Sequence, residues 1–229
     1  MNLDKIIQKI SGKEDFTLSS SVPLSYILCR GGKYIFSLLR GILSQVGMKS
    51  VDGNFFVGKK VKFFCKSKIV IGNRVRIEDN VKIDALSENG VILGDRVKIG
   101  ENSKIICSGT LSDLGKGIKI GRDTSFSENT FFGAAGGIEI GDDVIAGQNV
   151  RFHSENHNFI DIDKLIRLQG VNRRGIRVGN NVWIGAGTIF LDGSDVGDGC
   201  VLAANSIITK KIEQNSVVVG TSKILYKRG

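Results

Sequence analysis

The chain has 229 residues, with 32 Lys and Arg against 23 Asp and Glu, so its formal net charge is +9. Hydrophobic residues make up 41%, glycine is abundant at 30 residues and Pro23 is the only proline; this excludes a Pro/Gly-rich disordered chain and suits many tight turns between short strands. The basic balance admits nucleic acid, an anionic surface, a phosphorylated ligand or plain solubility, but no recognition-helix pattern and no aromatic–basic platform is visible, so no nucleic-acid partner is expected.

The first fifty residues read as a helical N-terminal extension, with helices over Asp4 to Ile10 and Ser25 to Val46. The second carries Tyr26, Ile27, Ile35, Phe36, Leu38, Leu39, Ile42 and Leu43, with Arg30, Lys33 and Arg40 between them. It suits an amphipathic helix on anionic lipid, but the favoured expectation is a helix that caps the open end of the following structure or packs on a neighbouring subunit. No signal peptide opens the chain, and no apolar run reaches the roughly 18 residues a membrane span needs. Cys29, Cys65, Cys107 and Cys200 are scattered, with no CxxC spacing, so neither zinc nor disulfides are expected and Cys200 reads as packing. A cytoplasmic setting follows, at the inner face of the membrane if the helix lies on lipid.

From about residue 51 a repeat of six takes over. An aliphatic residue followed by a small or acidic one recurs at Ile71-Gly72, Ile77-Glu78, Ile83-Asp84, then from Leu93-Gly94 onward, and without interruption from Val178-Gly179 to Ile208-Thr209. Four positions after many of these aliphatics stands a small or β-branched residue, as at Val75, Val97, Thr124, Val144, Val182 and Cys200. Six residues turn an α-helix by about 600°, which is no whole number of turns. A simple period-two strand does not explain the residue fixed beside each aliphatic. Three short strands per coil of 18 residues do, with one aliphatic per side pointing inward. The expected fold is therefore all-β, a parallel β-helix over residues 51–229 behind the extension at 1–50. The interruptions fall on the third side of successive coils, and the largest is an inserted loop at about 154–175; long loops on a rigid scaffold commonly carry function.

Both histidines, His153 and His157, lie where that loop leaves the coil, in Arg151-Phe152-His153-Ser154-Glu155-Asn156-His157. Imidazole exchanges protons near neutral pH and suits a general base. The stretch Ile140-Gly141-Asp142-Asp143-Val144, the loop with His157, and then Val178-Gly179-Asn180-Asn181-Val182-Trp183-Ile184-Gly185 resemble the hexapeptide-repeat acyltransferases, in the branch of maltose, galactoside and other sugar O-acetyltransferases. The resemblance implies a left-handed β-helix, acetyl-CoA as co-substrate with no metal, a sugar or glycan acceptor, and a homotrimer with active sites between subunits. It places His157, not His153, as the catalytic base, and Asn129 one coil earlier as substrate-binding, although a turn Asn explains that position equally well. Glu155 is a further substrate-side candidate, as is a backbone carbonyl, for orienting the imidazole. For the CoA arm the resemblance implies Trp183, Gly185 and Ala186, then Ala204 and Lys210 in Ala203-Ala204-Asn205-Ser206-Ile207-Ile208-Thr209-Lys210. Packing at a subunit seam accounts for Trp183 as well. The tail Gly220-Thr221-Ser222-Lys223 departs from the family pattern.

The expected function is thus acetyl transfer to a sugar hydroxyl, in capsule, O-antigen or exopolysaccharide synthesis. The alternatives are N-acetylation of an amino-sugar nucleotide, or a non-catalytic or zinc-binding β-helix; the latter group uses three histidines, and this chain has two.

Overall fold

The computed structural model describes residue 8 and residues 17–19, 21–221 and 223–227. The helix expected over Asp4 to Ile10 lies outside the described residues except at Gln8, which is helical. The second helix, α1, spans Leu24–Ser44. Pro23 suits its start, because the fixed proline φ and missing N–H cost nothing there. Gly47, at φ 84°, turns the chain away just beyond the last turn, so the helix stops short of Val46.

From Ser50 the chain winds as a left-handed parallel β-helix. Its three faces are sheets of eight, nine and seven strands. The strands of one coil are contributed in turn to the first, second and third face, so Ile138–Ile140, Ile145–Ala146 and Arg151–His153 form one coil and Ile176–Val178, Trp183–Ile184 and Ile189–Leu191 the next. Neighbouring coils pair in parallel register, as Ile140 with Val178, Ile145 with Trp183 and Phe152 with Phe190.

The repeat explains the interior. Every hexad aliphatic or aromatic from Ile71 to Ile208 is buried, as are Val75, Val97, Thr124, Val144, Val182 and Cys200 at the corners. The column behind the third face contains Phe132, Phe152 and Phe190, whose rings stack at 5.1 and 4.5 Å with near-parallel planes, and Phe126 meets Phe132 edge-on at 4.9 Å. Such contacts add to area burial.

The corners are satisfied by polar side chains. Asn and Asp residues that follow corner glycines on the first face reach the coil before them: Asp95 Oδ1 accepts from Asn73 N at 2.8 Å, Asn180 Oδ1 from Asp142 N at 2.8 Å, and Asp198 Oδ1 from Asn180 N at 2.7 Å. Corner residues adopt positive φ, which Asn and Asp tolerate best among non-glycine residues. Asn80, Asn102, Asn129, Asn149 and Asn205 mark the turn from the second to the third face in this way.

All four long insertions leave the same corner, between the third and first faces, at residues 85–90, 107–117, 134–137 and 154–175. Cys107 opens the second of them. Burial, with the nearby Asp84 carboxylate adding to it, pushes its thiol up to about 12. Cys200 is buried too, whereas Cys29 is exposed. We predict that a thiol reagent at pH 8 labels Cys29 readily in the native protein, and Cys107 and Cys200 only after unfolding; mass spectrometry of labelled peptides reads this out. Rapid native labelling of Cys107 would show that the coil opens there.

Helix α1 lies across the first coil. Gly41 is its contact point: a Cβ there would stand 1.7 Å from the carbonyl oxygen of Phe55. Tyr34 packs edge-on to Phe56, and Arg40 Nε donates to the carbonyls of Val57 and Gly58 at 2.8 and 3.0 Å. At the opposite end Lys223–Lys227 pairs antiparallel with Ser216–Val219, the one reversal in that sheet.

Candidate active site

The insertion at 154–175 is a stem with an apolar tip. Asn156–His157 and Val171–Asn172 pair antiparallel, and a short 3₁₀ turn at Ile166–Leu168 closes the far end. Buried polar anchors fix its two feet. On the outgoing side Ser154 Oγ donates to Gly133 O at 2.7 Å and accepts from Gly136 N at 2.9 Å. On the returning side the buried Asp192 carboxylate accepts from the backbone amides of Arg174 and Gly175, at 2.9 and 2.8 Å. Between the feet Arg173 ties the loop to an earlier one: Nε donates to Glu155 at 2.6 Å and Nη1 to Asp113 at 2.9 Å. Burial opposes the Arg173 charge, but Glu155 and Asp113 outweigh it and hold the guanidinium above its usual range.

The two histidines differ in setting. His157 is exposed on the stem. His153 lies half-buried on the outer third face, its ring 5.5 Å from that of Phe131. Burial, followed by the charge of Arg151, lowers the His153 pKa below the ordinary histidine value. A histidine depressed in the folded state contributes stability that is present above its unfolded pKa of about 6.5 and is lost as pH falls towards the folded value. We predict that His153→Gln flattens the fall in thermal midpoint between pH 7 and pH 5; an unchanged slope would remove His153 from that role.

Within one chain the candidate residues fall into two groups. His157, Glu155 and Lys210 belong to the corner between the third and first faces. Trp183 stands exposed on the second face beside Ile145, and Gly185, Ala186, Ala204 and Asn129 follow at the corner between the second and third faces. A Cβ on Gly185 would meet Ala204 N at 2.4 Å, and Asn205 N donates to Ala186 O at 2.8 Å, so the small residues there stack coil on coil. One prism side of six residues separates the groups, roughly 15–20 Å at about 3.3 Å per residue. The partner of Glu155 is Arg173, and Asn129 sits at φ 59° with its amide donating to Glu101 O at 2.8 Å. The sequence reading did not single out Arg173, Asp192 or Ser154. Among the described residues no group of three or more His, Cys, Asp or Glu is placed to hold a metal ion.

Two family models match the coils: the bacterial transferase hexapeptide (six repeats) over residues 175–210, and the hexapeptide repeat of succinyl-transferase over residues 74–106. These matches place hexapeptide repeats of the bacterial transferase kind in two stretches of the coils. A Schizosaccharomyces pombe protein named as an acetyltransferase is 33% identical to this hexapeptide-repeat chain over 110 residues, covering 48% of it and 52% of that protein. One from Staphylococcus aureus (strain Mu50) is 35% identical over 112 residues, 48% of this chain and 54% of the relative. The chain spans about half the length of these relatives. Among solved structures, AntD, an N-acyltransferase from Bacillus cereus in complex with dTDP-4-amino-4,6-dideoxyglucose and coenzyme A, superposes with a TM-score of 0.54 at 18% identity, over 83% of this chain and 89% of that one. At that identity the likeness is one of fold.

Proposed function

We propose that this protein is an acetyl-CoA-dependent O-acetyltransferase acting on a sugar hydroxyl in capsule, O-antigen or exopolysaccharide synthesis. The observation that carries the reading is His157, exposed on an insertion whose feet are locked by buried polar contacts. A base on a rigid stem is what direct acyl transfer needs. The imidazole takes the proton of the acceptor hydroxyl as its oxygen bonds to the thioester carbonyl carbon. The tetrahedral intermediate is held by a backbone N–H, and its collapse breaks the C–S bond and returns the proton to the CoA sulfur.

The separation of the two residue groups favours a site shared between subunits. In a threefold assembly the stem of one prism meets the second-to-third corner of its neighbour, where Trp183, Gly185, Ala186 and Ala204 line the pantetheine arm. Asn129 at that corner faces the acceptor, and Glu155 keeps the base in place through the stem. Lys210 serves the CoA phosphates. The uncovered side chains of Phe159, Ile160, Ile162 and Leu165 at the loop tip support the same assembly, since monomers rarely leave so contiguous an apolar patch in water.

The test is release of CoA thiol from acetyl-CoA in the presence of a panel of sugars, glycans and amino-sugar nucleotides, with the product ester or amide located by mass spectrometry. Ester formation on a sugar supports the proposal. Amide formation on an amino-sugar nucleotide would replace it by the N-acyl chemistry of AntD. No turnover together with no thermal shift by acetyl-CoA would leave a scaffold.

A further inference from the structure

The net charge is not spread along the chain. Residues 21–76 hold eleven Lys and Arg against one acid, Asp52, whereas the rest of the chain holds 21 basic and 22 acidic residues. Residues 21–76 comprise α1, the first coil and the start of the second, all at one end of the prism. Some of these cations serve the fold: Arg40 donates to Val57 and Gly58, Lys66 to the Val46 carbonyl at 2.6 Å, and Arg76 lies over the Tyr34 ring at 4.6 Å. Arg30, Lys33, Lys49, Lys59, Lys60 and Lys62 are exposed.

The same end carries an uncovered apolar face. One side of α1 is used, through Tyr34 and Gly41, to cover the first coil. On another side Leu24, Leu28, Ile35, Leu39 and Ile42 follow one another at steps of three, four or seven residues, and each is at least 50% exposed. That spacing makes a continuous stripe, about 30 Å long at about 1.5 Å per residue. Phe36 and Leu43 widen it. The helix contains no acidic residue.

We propose that this end of the prism is a peripheral docking surface for an anionic lipid membrane, with α1 lying in the interface and the lysines of the first coil facing the headgroups. An apolar stripe bordered by cations is the pattern of an interfacial helix, and clustered lysines near it respond to the negative surface potential of anionic lipid. A second copy of the chain fits less well, because apposing two such ends brings like charges together with no acid on either helix to pair them. The helix rests on the membrane without crossing it, since among the described residues no helix is long and apolar enough to span. The insertion with His157 then stands four coils from the first, about 19 Å at about 4.8 Å per coil, and about 30 Å from the lipid once the roughly 10 Å width of α1 is added, within reach of a glycan carried on a membrane lipid.

Co-sedimentation of the full chain with vesicles tests this without any acyl transfer. Vesicles of neutral phosphatidylcholine are compared with vesicles containing 30% phosphatidylglycerol (about one charged lipid in three), at about 0.1 and 0.5 M salt, where screening differs strongly. Binding at least tenfold stronger to the anionic vesicles, weakened by salt, is expected. Leu39→Glu with Ile42→Glu should lower it at least tenfold, and Lys33→Glu with Lys59→Glu should lower it and flatten the salt dependence, both with unchanged circular dichroism. Equal partition onto neutral and anionic vesicles, or none onto either, would overturn the proposal. So would a wild type that ignores vesicles while Leu39→Glu with Ile42→Glu lowers its sedimentation coefficient, since the face would then be covered by a second copy.

Discussion

Replacing His157 with alanine should, under the proposed function, lower acetyl transfer by about two to four orders of magnitude, the range general bases contribute, and leave the fold and assembly state intact. The side chain is exposed on a stem whose register depends on backbone pairing with Val171 and Asn172, so its truncation removes no core contact. The loss should fall on kcat, with acetyl-CoA affinity little changed, because the proposed role of the imidazole is on the acceptor proton and not on the CoA arm. A comparison with Arg173→Met sharpens the reading. That change frees Glu155 and Asp113 and loosens the stem, so it should lower activity less and also reduce protection of the loop against proteolysis. Steady-state rates with a responsive acceptor, beside gel filtration of each variant, provide the check. Wild-type turnover in His157→Ala would remove the base from the mechanism.

The second large effect is on stability. Phe152→Ala should destabilise the protein by about 3–5 kcal/mol. Its ring is fully buried between Phe132 and Phe190 and edge-on to Phe126, so the cavity opens at the middle of the column, inside the prism. Phe152→Leu, which keeps most of the volume, should cost about 1.5 kcal/mol or less. Denaturant titration followed by circular dichroism measures both. Because each coil contacts mainly its neighbours, the alanine variant should melt first around the fifth and sixth coils. Hydrogen exchange would show the loss of protection there, and uniform loss along the prism would contradict a stack of semi-independent coils.

Most of the fold was legible because one physical requirement repeats. Each hexad must send one apolar side chain inward, so Ile71, Leu93, Ile120, Ile140 and Val178 align in one column and announce it in sequence. Corner chemistry was half legible. The positive φ of Asn129 places it in a row with Asn80, Asn102 and Asn149, which accounts for its residue type without any ligand. The Asn and Asp side chains that cap the preceding coil, such as Asp95 and Asp198, follow their glycines in plain view, but only the stacked geometry reveals what they accept. The anchors of the insertion were not legible. Arg173 and Asp113 are 60 residues apart in loops that obey no period, and Asp192 finds its amide donors only once the loop has returned. Likewise His157 and Trp183 belong to one continuous stretch of motif in the sequence, whereas the fold puts a prism side between them.

The two ends of the prism also decide how the protein behaves in a crowded solution. A stack of parallel strands with identical spacing is a template for its own extension, and an exposed last rung would recruit further chains into a fibre. At one end α1 lies over Phe55 and Phe56, denying access to the first rung of that sheet. At the other the chain doubles back, so Lys223–Lys227 runs against Ser216–Val219 with a register slip between Val217 and Val218, and a newcomer meets a strand of the wrong direction and an irregular step. The neighbouring sheet ends on the exposed Lys211, and the third is closed by a bridge from Ile207 to Thr221. Deleting the last rung while keeping the coils intact should therefore convert a discrete particle into one that polymerises end to end.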